Sequence, residues 1–585
     1  MEPLVRAGRD LAGLPRPAAP NQRPATYQLQ EAGVRAFASL VARLDSRVAY
    51  RPYFALDLGG AAPVLRHDVW DWIDMTGRAV DSLARLRLLT GVRHAEEEEE
   101  ALRALLLSRR GEDGLLWNGV STINGGYGSE VVEIFSQSRG LLALVTWYTL
   151  TGSDHLHAVL EGAVTALDAI AVKDGGTARY PGTQWREGWL DLTNTAEGAP
   201  EGRAKWGLGA LVALPLLEYH FHTNSPAARR LAEELIAYFA DRSGLVTASG
   251  EFHGHVHAEG YAGLGTAAVY EARIAGRDDR LRWANRLYQW IRAHSTRYGW
   301  VPDAMLLPEQ HYWYWYQVPW LPPTCETCAL TDVIQLAIVL AQSGYPEYWD
   351  DVERFGRNQL LASQFPDAAA FLPVDARQTP GARALAGSFA SATLPTSLLG
   401  YLVTGTEPIV EGCCTGSGAK ALHLLWQHAV EDRPDGLYVH LGFGCDREAA
   451  EVIGYEPYEG RREVRLRAAR RVLIRLPDTA RSEDAELWVD GARRDPVWRG
   501  AYADAGYLGA GQIVALRYPL RAVTERLEVN RQMLTIEWKG STVVEVRPSG
   551  AIPVPYSRAA LLNAATPWQA PPTYPRLATS LSPFA

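Results

Sequence analysis

The sequence predicts a mainly α-helical protein with added β structure, in which an (α/α)6 barrel is followed by a C-terminal β-sandwich. Between residues 26 and 432, about a dozen segments place apolar residues at helical spacing, and Gly, Pro, Asp or Ser separates most of them. These segments show no strict repeat, which argues against a solenoid. After about Asp435 the segments become short, rich in β-forming residues and partly alternating.

The predicted helices follow one another through the larger, N-terminal part of the chain. They cover residues 30–44, 69–90, 96–109, 131–151, 155–171, 205–221, 227–240, 258–275, 280–294, 328–342, 348–363, 389–403 and 415–430. Amphipathic helices joined by loops of variable length favour a ring of helical hairpins. In such a ring the connecting loops form a cleft.

The expected organisation has four parts. An N-terminal extension covers residues 1–25, the barrel 26–434, the β-sandwich 435–563 and a Pro-rich, extended tail 564–585. Within the sandwich, residues 534–538 and 541–546 flank Lys539 and Gly540, which predicts a tight hairpin. A helical barrel with a β-sandwich is common among carbohydrate-active enzymes, an analogy of fold alone. Because such sandwiches often support subunit contacts, we also consider a homodimer.

Composition narrows the classes of function. The 585 residues include 58 Lys+Arg and 67 Asp+Glu, a formal net charge of -9. This acidic balance argues against nucleic-acid binding, because phosphate recognition requires clustered Lys and Arg. No apolar run approaches the roughly 20 residues of a membrane span, and the N-terminus lacks the pattern of a signal peptide. We therefore expect a cytoplasmic protein with reduced cysteines and without a nucleic-acid or membrane partner.

Two groups of cysteines are the strongest indication of chemistry. Cys325 and Cys328 flank Glu326, and Cys413 and Cys414 are adjacent. Thiolates with a carboxylate as fourth ligand suit Zn²⁺, and a helix start beside the later pair would lower thiol pKa values. Inert, buried cysteines are the alternative. Two such groups in a chain with almost no other cysteine favour a metal site.

These two motifs resemble those of glycoside hydrolase family 127 and its relatives, the cysteine-dependent β-L-arabinofuranosidases. The resemblance covers about residues 309–330 and 412–425, together with the overall plan of the chain. It implies one zinc ion held by Glu326, Cys328, Cys413 and Cys414, with Cys413 as the nucleophile. It also implies a general acid/base before the Glu-Thr-Cys motif, where Glu309 is the best match.

Three features depart from the family pattern. Thr415 follows the cysteine pair where the family usually has proline. Arg139 and Thr266 stand where two sugar-binding histidines would be expected, so Arg139 is a candidate substrate contact. Cys325 is an additional thiol that could replace Glu326 in a purely structural four-cysteine site.

Aromatic and histidine residues are the candidate substrate contacts. Tyr312, Trp313 and Trp315 belong to the densest aromatic run, where sugar rings could stack and where burial could raise the pKa of Glu309. The alternatives are a core strand for this run and a solvated carboxylate for Glu309. In an extended segment, His255 and His257 would share one face with His253 and could bind hydroxyls or a second metal; a hydrogen-bonded loop is the alternative.

Asp68, Asp71 and Asp74 recur every three residues and would share one helix face. Asp68 is most simply a helix N-cap. Asp74 is a candidate substrate contact. If Asp71 or Asp74 faces the cleft, it could also serve as a catalytic acid, as in the unsaturated glucuronyl hydrolases, another (α/α)6 family.

The hypothesis is a retaining exo-glycoside hydrolase that releases a furanose-type or related sugar from an oligosaccharide or glycoconjugate. Such an enzyme needs a nucleophile and an acid/base roughly 5 Å apart, roles for Cys413 and Glu309. One alternative is a different carbohydrate enzyme that uses Asp74 or Asp71 and only structural zinc. The other is a catalytically silent glycan-binding protein.

Overall fold

The computed structural model describes thirteen α-helices among residues 22–120, 128–190, 211–244, 246–247, 249–250, 258–302, 324–367, 372–399, 408–529, 532–550, 556, 558–570 and 581. These helices are α1 (Leu29–Ala42), α2 (Asp74–Thr90), α3 (Glu96–Ser108), α4 (Ile134–Thr151), α5 (Asp154–Ile170), α6 (Ala213–Thr223), α7 (Pro226–Asp241), α8 (Ala258–Ala275), α9 (Asp278–His294), α10 (Thr327–Gln342), α11 (Tyr348–Phe355), α12 (Pro380–Leu385) and α13 (Gly412–His428). A π-helical turn, Gly356–Leu360, continues α11.

Two concentric rings of helices form the barrel. The inner ring runs α2, α4, α6, α8, α10 and α13; each helix packs against the next, and α13 closes the ring against α2. Outside it, α3, α5, α7, α9 and α11 pack against the inner helices that precede them, and α1 packs against α13 and α2. This arrangement is an (α/α)6 barrel, as the sequence predicted.

Burial distinguishes the two rings. The outer helix α5 buries one apolar stripe that includes Leu156, Leu160 and Leu167, and it exposes its other face. The inner helix α10 is buried over nearly its whole length. Inner helices also carry charged residues, and several of these form ion pairs inside the barrel, such as Arg78 with Asp74 and Arg85 with Asp81. Pairing matters because an unpaired buried charge would be strongly unfavourable.

Glycines allow inner helices to approach closely where the barrel begins. A Cβ on Gly77 of α2 would lie 2.8 Å from the carbonyl oxygen of Arg139 on α4. A Cβ on Gly412, the first residue of α13, would lie 2.6 Å from Sδ of Met75 on α2. These contacts allow α2 to lie close to α4 and α13 near the N-terminal ends of the three helices.

The C-terminal region forms two larger sheets. The five-stranded sheet has the order β11-β12-β16-β20-β19 and the six-stranded sheet β13-β14-β15-β21-β17-β18. Their alternating buried positions include Val464, Ile474 and Leu516, consistent with the predicted β-sandwich. The strands are β11 (Val430–Arg433), β12 (Gly436–Val439), β13 (Cys445–Asp446), β14 (Ala450–Gly454), β15 (Arg461–Leu466), β16 (Arg470–Arg475), β17 (Glu486–Val489), β18 (Ala492–Arg494), β19 (Val497–Arg499), β20 (Tyr502–Leu508) and β21 (Ile513–Arg517).

A three-stranded meander follows, with β22 (Ala522–Val529), β23 (Gln532–Lys539) and β24 (Thr542–Arg547). The predicted hairpin is present between β23 and β24, where Gly540 has a φ of 59°. The remaining strands are β1 (Arg23–Pro24), β2 (Leu44–Asp45), β3 (Arg51–Pro52), β4 (Ala55–Asp57), β5 (Val64–Arg66), β6 (Val132–Glu133), β7 (Val172–Asp174), β8 (Thr177–Arg179), β9 (Gln184–Trp185), β10 (Ile409–Glu411) and β25 (Trp568–Gln569). Strand β25 pairs with β1, so the segments near the two ends of the chain meet.

Buried ion pairs join the barrel to the sandwich. Oε2 of Glu353 on α11 accepts from Nη2 of Arg462 at 2.7 Å and from Nη2 of Arg475 at 2.6 Å. Burial opposes ionisation of Glu353, but these arginines outweigh it and lower its pKa to about 2.

One predicted helix is wrong. Within the predicted helix over 389–403, the described residues 389–399 are not helical. Thr393 instead pairs with Cys325 in a β-bridge, and Phe389 pairs with Gln364. Pro395 also disfavours helix at the residue before it.

None of the described helices has the length and apolar character needed to span a bilayer.

Candidate metal centre and active site

The four predicted ligands come together at one end of the barrel. Glu326 is the N-cap residue of α10, and Cys328 lies in the first turn of that helix. Cys413 and Cys414 lie in the first turn of α13, which begins at Gly412 rather than at the predicted residue 415. Because α10 and α13 pack side by side in the inner ring, their first turns meet.

The distances within this cluster suit a tetrahedral metal ion. Sγ of Cys414 lies 3.6 Å from Sγ of Cys328 and 4.0 Å from Sγ of Cys413. Oε1 of Glu326 lies 3.6 Å from Sγ of Cys414, and the four donor atoms all lie within 4.8 Å of one another. Zn–S bonds of about 2.3 Å in tetrahedral geometry place two sulfurs roughly 3.8 Å apart. The cluster, which is buried throughout, could therefore hold a metal ion.

Cys325 is not a member of this cluster. Its thiol is buried, with Sγ 4.0 Å from the carbonyl oxygen of Glu326. Its backbone forms the bridge with Thr393, with N–O distances of 2.8 and 2.9 Å. The described arrangement therefore favours the carboxylate of Glu326 over the thiol of Cys325 as the fourth ligand.

The protein's own groups favour one thiolate in the cluster. Burial opposes ionisation of Cys328, but hydrogen bonds with Cys413 and Cys414 and the charge of Arg78 lower its pKa to about 7. The hydrogen bond with Cys328 raises the pKa of Cys413. Burial raises the pKa of Cys414. A divalent cation would favour the ionised form of all three thiols.

A buried network of charges adjoins the cluster and includes two further candidates. Asp74, the first residue of α2, accepts from Nε of Arg78 at 2.9 Å through Oδ1. Nη2 of Arg78 donates to Oε1 of Glu259 at 3.0 Å, and Arg139 donates to the same oxygen. Arg139 also lies 3.5 Å from Asp332. Asp74 and Arg139 are thus brought together near the cysteines, but both are engaged in ion pairs.

The carboxylate of Asp71 is held by hydrogen bonds with neighbouring residues. Its buried Oδ1 accepts from the backbone N–H of Phe54 at 2.9 Å, and Oδ2 lies 2.6 Å from Nδ1 of His67. Asp68 accepts from the N–H of Val69 at 2.6 Å and caps a short 3₁₀ turn. The expected shared face is absent, because α2 begins only at Asp74.

The other candidates lie outside the described residues. Glu309, Tyr312, Trp313 and Trp315 belong to the segment 303–323. His255 and His257 belong to the segment 251–257. The roles expected for these six residues stay predictions.

Sequence reasoning missed two groups beside the thiols. Glu411, the N-cap residue of α13, accepts from Sγ of Cys413 at 3.7 Å through Oε2. Arg43 is fully buried and donates to the carbonyl oxygens of Phe54 at 3.1 Å and Val410 at 3.2 Å. Glu411 could have been noticed, since it stands two positions before Cys413. Arg43 is remote in sequence and gives no local indication.

A buried acid at the same end of the barrel leads to a pH prediction. Glu133 is the N-cap residue of α4; its Oε2 accepts from the N–H of Ser136 at 2.5 Å, but burial raises its pKa to about 7. Because this value exceeds the unfolded value of 4.5, the stability from Glu133 is fully present below about pH 4.5 and is lost as the pH rises through 7. The loss corresponds to about 3 kcal/mol.

We expect Glu133→Gln to remove this decline, so that the difference in free energy of unfolding between variant and wild type changes by that amount across the window. Denaturant unfolding from pH 4 to 8 measures it. Glu130→Gln, at an exposed acid nearby, serves as the control and should follow wild type. Parallel curves for Glu133→Gln and wild type would contradict the prediction.

Comparison with solved structures finds proteins that share the fold of this chain. No family model matches the sequence, and no curated protein matches it. The structure is similar to a GH127 β-L-arabinofuranosidase from Geobacillus stearothermophilus T6, with a TM-score of 0.54 and 14% identity over 88% of this chain and 80% of that chain. A second GH127 β-arabinofuranosidase has a TM-score of 0.57 and 11% identity, over 88% of this chain and 81% of that chain.

A further solved structure, described as a glycoside hydrolase, has a TM-score of 0.56 and 14% identity, over 89% of this chain and 81% of that chain. The chain therefore has the fold of the GH127 enzymes, which confirms in structure the resemblance inferred from the cysteine motifs.

Proposed function

We propose that the protein is a retaining exo-glycoside hydrolase that releases a furanose-type or related sugar from an oligosaccharide or glycoconjugate. One observation supports this proposal above the others. The buried cluster of Glu326, Cys328, Cys413 and Cys414 lies at the first turns of two neighbouring inner helices, in a chain with the GH127 fold. Three sulfurs and one carboxylate oxygen suit Zn²⁺, which is the ion we propose.

Cys413 is the proposed nucleophile. Its residue is 5% exposed, whereas Cys328 and Cys414 are 1% and 0% exposed, so a sugar entering from the barrel mouth would reach Cys413 first. Its Sγ would attack the anomeric carbon and form a thioglycosyl intermediate as the aglycone leaves. A bound Zn²⁺ would keep the thiols ionised at neutral pH and would moderate the basicity of the attacking sulfur.

The proton transfers are assigned to carboxylates. Glu309 is the proposed general acid, which protonates the leaving oxygen and then removes a proton from the water that hydrolyses the intermediate. Two displacements on the same carbon give net retention of configuration. Glu411 holds the Cys413 thiol by its hydrogen bond, so it is placed to accept the thiol proton when the cluster assembles.

The contacts of the two aspartates favour this route over an aspartate acid. Oδ1 of Asp74 is occupied by Nε of Arg78, and Asp71 is held by Phe54 and His67. Both carboxylates are essentially inaccessible to solvent. A general acid must reach the leaving oxygen, which an ion-paired, buried carboxylate does less readily than a solvent-accessible one.

The test is hydrolysis by the metal-loaded, full-length protein of aryl furanosides and pyranosides. We expect turnover of at least one furanoside, with a first product of unchanged anomeric configuration by NMR. Mass spectrometry of a quenched reaction should find the sugar on the peptide that contains Cys413. An inverted product would contradict the mechanism, and saturable binding without any turnover would favour a glycan-binding protein.

A further inference from the structure

Helix α2 contains two buried Arg–Asp ion pairs with the same spacing along the helix. Nε of Arg78 lies 2.9 Å from Oδ1 of Asp74, and Nε of Arg85 lies 2.8 Å from Oδ1 of Asp81. In each pair the aspartate precedes the arginine by four residues, and all four side chains are buried. The pairs differ in what else the guanidinium contacts, which makes one a natural control for the other.

Arg78 reaches the thiol cluster. Its Nη1 lies 3.6 Å from Sγ of Cys328 and donates to Oγ of Ser417 at 2.6 Å. With Nε on Asp74 and Nη2 on Glu259, all three nitrogens have partners on four different helices. The guanidinium of Arg78 is therefore held in one orientation, with Nη1 directed at Sγ of Cys328. Arg85 instead donates to Oγ1 of Thr146, away from the cysteines.

The close packing of α13 against α2 determines how near Arg78 lies to the thiol cluster. A Cβ on Gly416 would lie 3.0 Å from Cβ of Arg78, so the absent side chain lets α2 lie close to α13. Gly416 and Ser417 occupy the second turn of α13, after the two cysteines and Thr415. The helix that supplies two of the thiols, α13, is therefore the same helix that packs closely against Arg78.

The metal ligands would carry a net negative charge that nearby donors and cations can stabilise. Three thiolates and the Glu326 carboxylate around a divalent cation leave a net charge of about −2 in a buried position, which is unfavourable without nearby positive groups. Arg43 also lies close by, since it donates to Phe54, which packs on the thiols, and to Val410, just before α13. Among the described residues no carboxylate lies within ion-pair distance of Arg43. The groups whose negative charge acts on Arg43 are Cys413, Cys414 and Glu411.

We propose that Arg78 is a positioning residue of the metal centre, which donates an N–H···S hydrogen bond to the Cys328 thiolate, while Arg43 is a second buried cation beside the ligand set. The proposal rests on the metal site of the proposed function and assigns it a second layer of contacts. Such outer contacts typically change metal affinity by 10–100-fold.

The test compares Arg78→Met and Arg78→Lys with Arg85→Met and Arg85→Lys in the full-length protein. Competition with a chromophoric chelator gives the Zn²⁺ dissociation constant of each variant. We expect Arg78→Met to weaken Zn²⁺ binding about 10–100-fold, with a smaller loss for Arg78→Lys, which keeps the charge. The Arg85 variants should stay within a factor of about three of wild type, although they remove an equivalent buried ion pair.

The spectrum of the Co²⁺-loaded protein provides a readout that a general loss of stability would not change. Loss of a hydrogen bond to a thiolate raises the energy of its lone pairs, so the sulfur-to-cobalt charge-transfer band of Arg78→Met should move to longer wavelength. The band of Arg85→Met should not move. If Arg78→Met does not fold by circular dichroism, the comparison of Arg78→Lys with Arg85→Lys decides.

The outcomes separate the two proposals. Wild-type protein that binds neither Zn²⁺ nor Co²⁺ would overturn the metal site, and the role of Arg78 with it. Wild-type protein that binds both ions, while the Arg78 and Arg85 variants have equal affinities and unmoved cobalt bands, would overturn the role of Arg78 alone.

Discussion

Replacing Cys413 by serine is expected to lower kcat for the best aryl glycoside by about 10⁴-fold or more, because it removes the proposed attacking sulfur. A serine hydroxyl at this position lacks an adjacent general base among the described groups other than Glu411, and it is a far weaker nucleophile than a thiolate. Steady-state kinetics on the metal-loaded variant measure the effect.

Two control variants separate loss of the nucleophile from loss of the metal. Cys414→Ser also removes a thiolate ligand but leaves the proposed nucleophile, so at equal metal content it should retain clearly more activity than Cys413→Ser. Cys445→Ser changes a buried thiol of β13 outside the cluster and should behave as wild type. Full activity in Cys413→Ser, together with an inactive Asp74→Asn, would instead support the aspartate-dependent alternative.

Replacing Cys328 by serine is expected to abolish stoichiometric metal binding. Elemental analysis should change from one zinc per chain to almost none, because Cys328 is the one thiol that α10 contributes to the cluster. Metal bound only to the folded state stabilises it by about 4 kcal/mol when free metal is 1,000 times the dissociation constant. Added Zn²⁺ should therefore raise the Tm of wild type, and it should leave the Tm of Cys328→Ser nearly unchanged.

Cys325→Ser is the matched control, since it changes a buried thiol only three positions earlier. This variant should bind one zinc per chain, because Cys325 lies outside the cluster. A metal-free Cys325→Ser together with a fully loaded Cys328→Ser would reverse the ligand assignment. A metal-free, correctly folded wild-type protein would contradict the metal site altogether.

The regular helices were predictable because their apolar residues recur at helical spacing in the sequence. This holds for α8, which spans the predicted residues 258–275 and is buried over most of its length, and for α3, which buries one stripe and ends one residue before the predicted limit of 109. The failure over 389–403 has a different origin. The run there contains Ala and Leu, which favour a helix, but its residues form β-bridges with Cys325 and Gln364. Pairing with residues so distant along the chain produces no periodic pattern in the sequence.

The charged residues of α2 show the same limit at the site. The i,i+4 spacing of Asp74 and Arg78 could suggest an ion pair, and the same spacing of Asp81 and Arg85 suggests an identical one. Nothing local distinguishes the pair that reaches a thiol from the pair that does not. That difference depends on Gly416, whose missing side chain allows α13 to approach Arg78.

By itself the sequence determined the class of fold, the two cysteine motifs and the donor types that suit a metal, because periodicity and residue chemistry are local properties. Only the tertiary structure decided that Glu326 rather than Cys325 faces the other thiols, that Arg78 reaches Cys328, and that Glu411 and Arg43 adjoin the cluster. The physical reason is the closure of the inner ring. It brings the first turns of helices that are far apart in sequence to the same end of the barrel, where short distances between charged groups determine their chemistry.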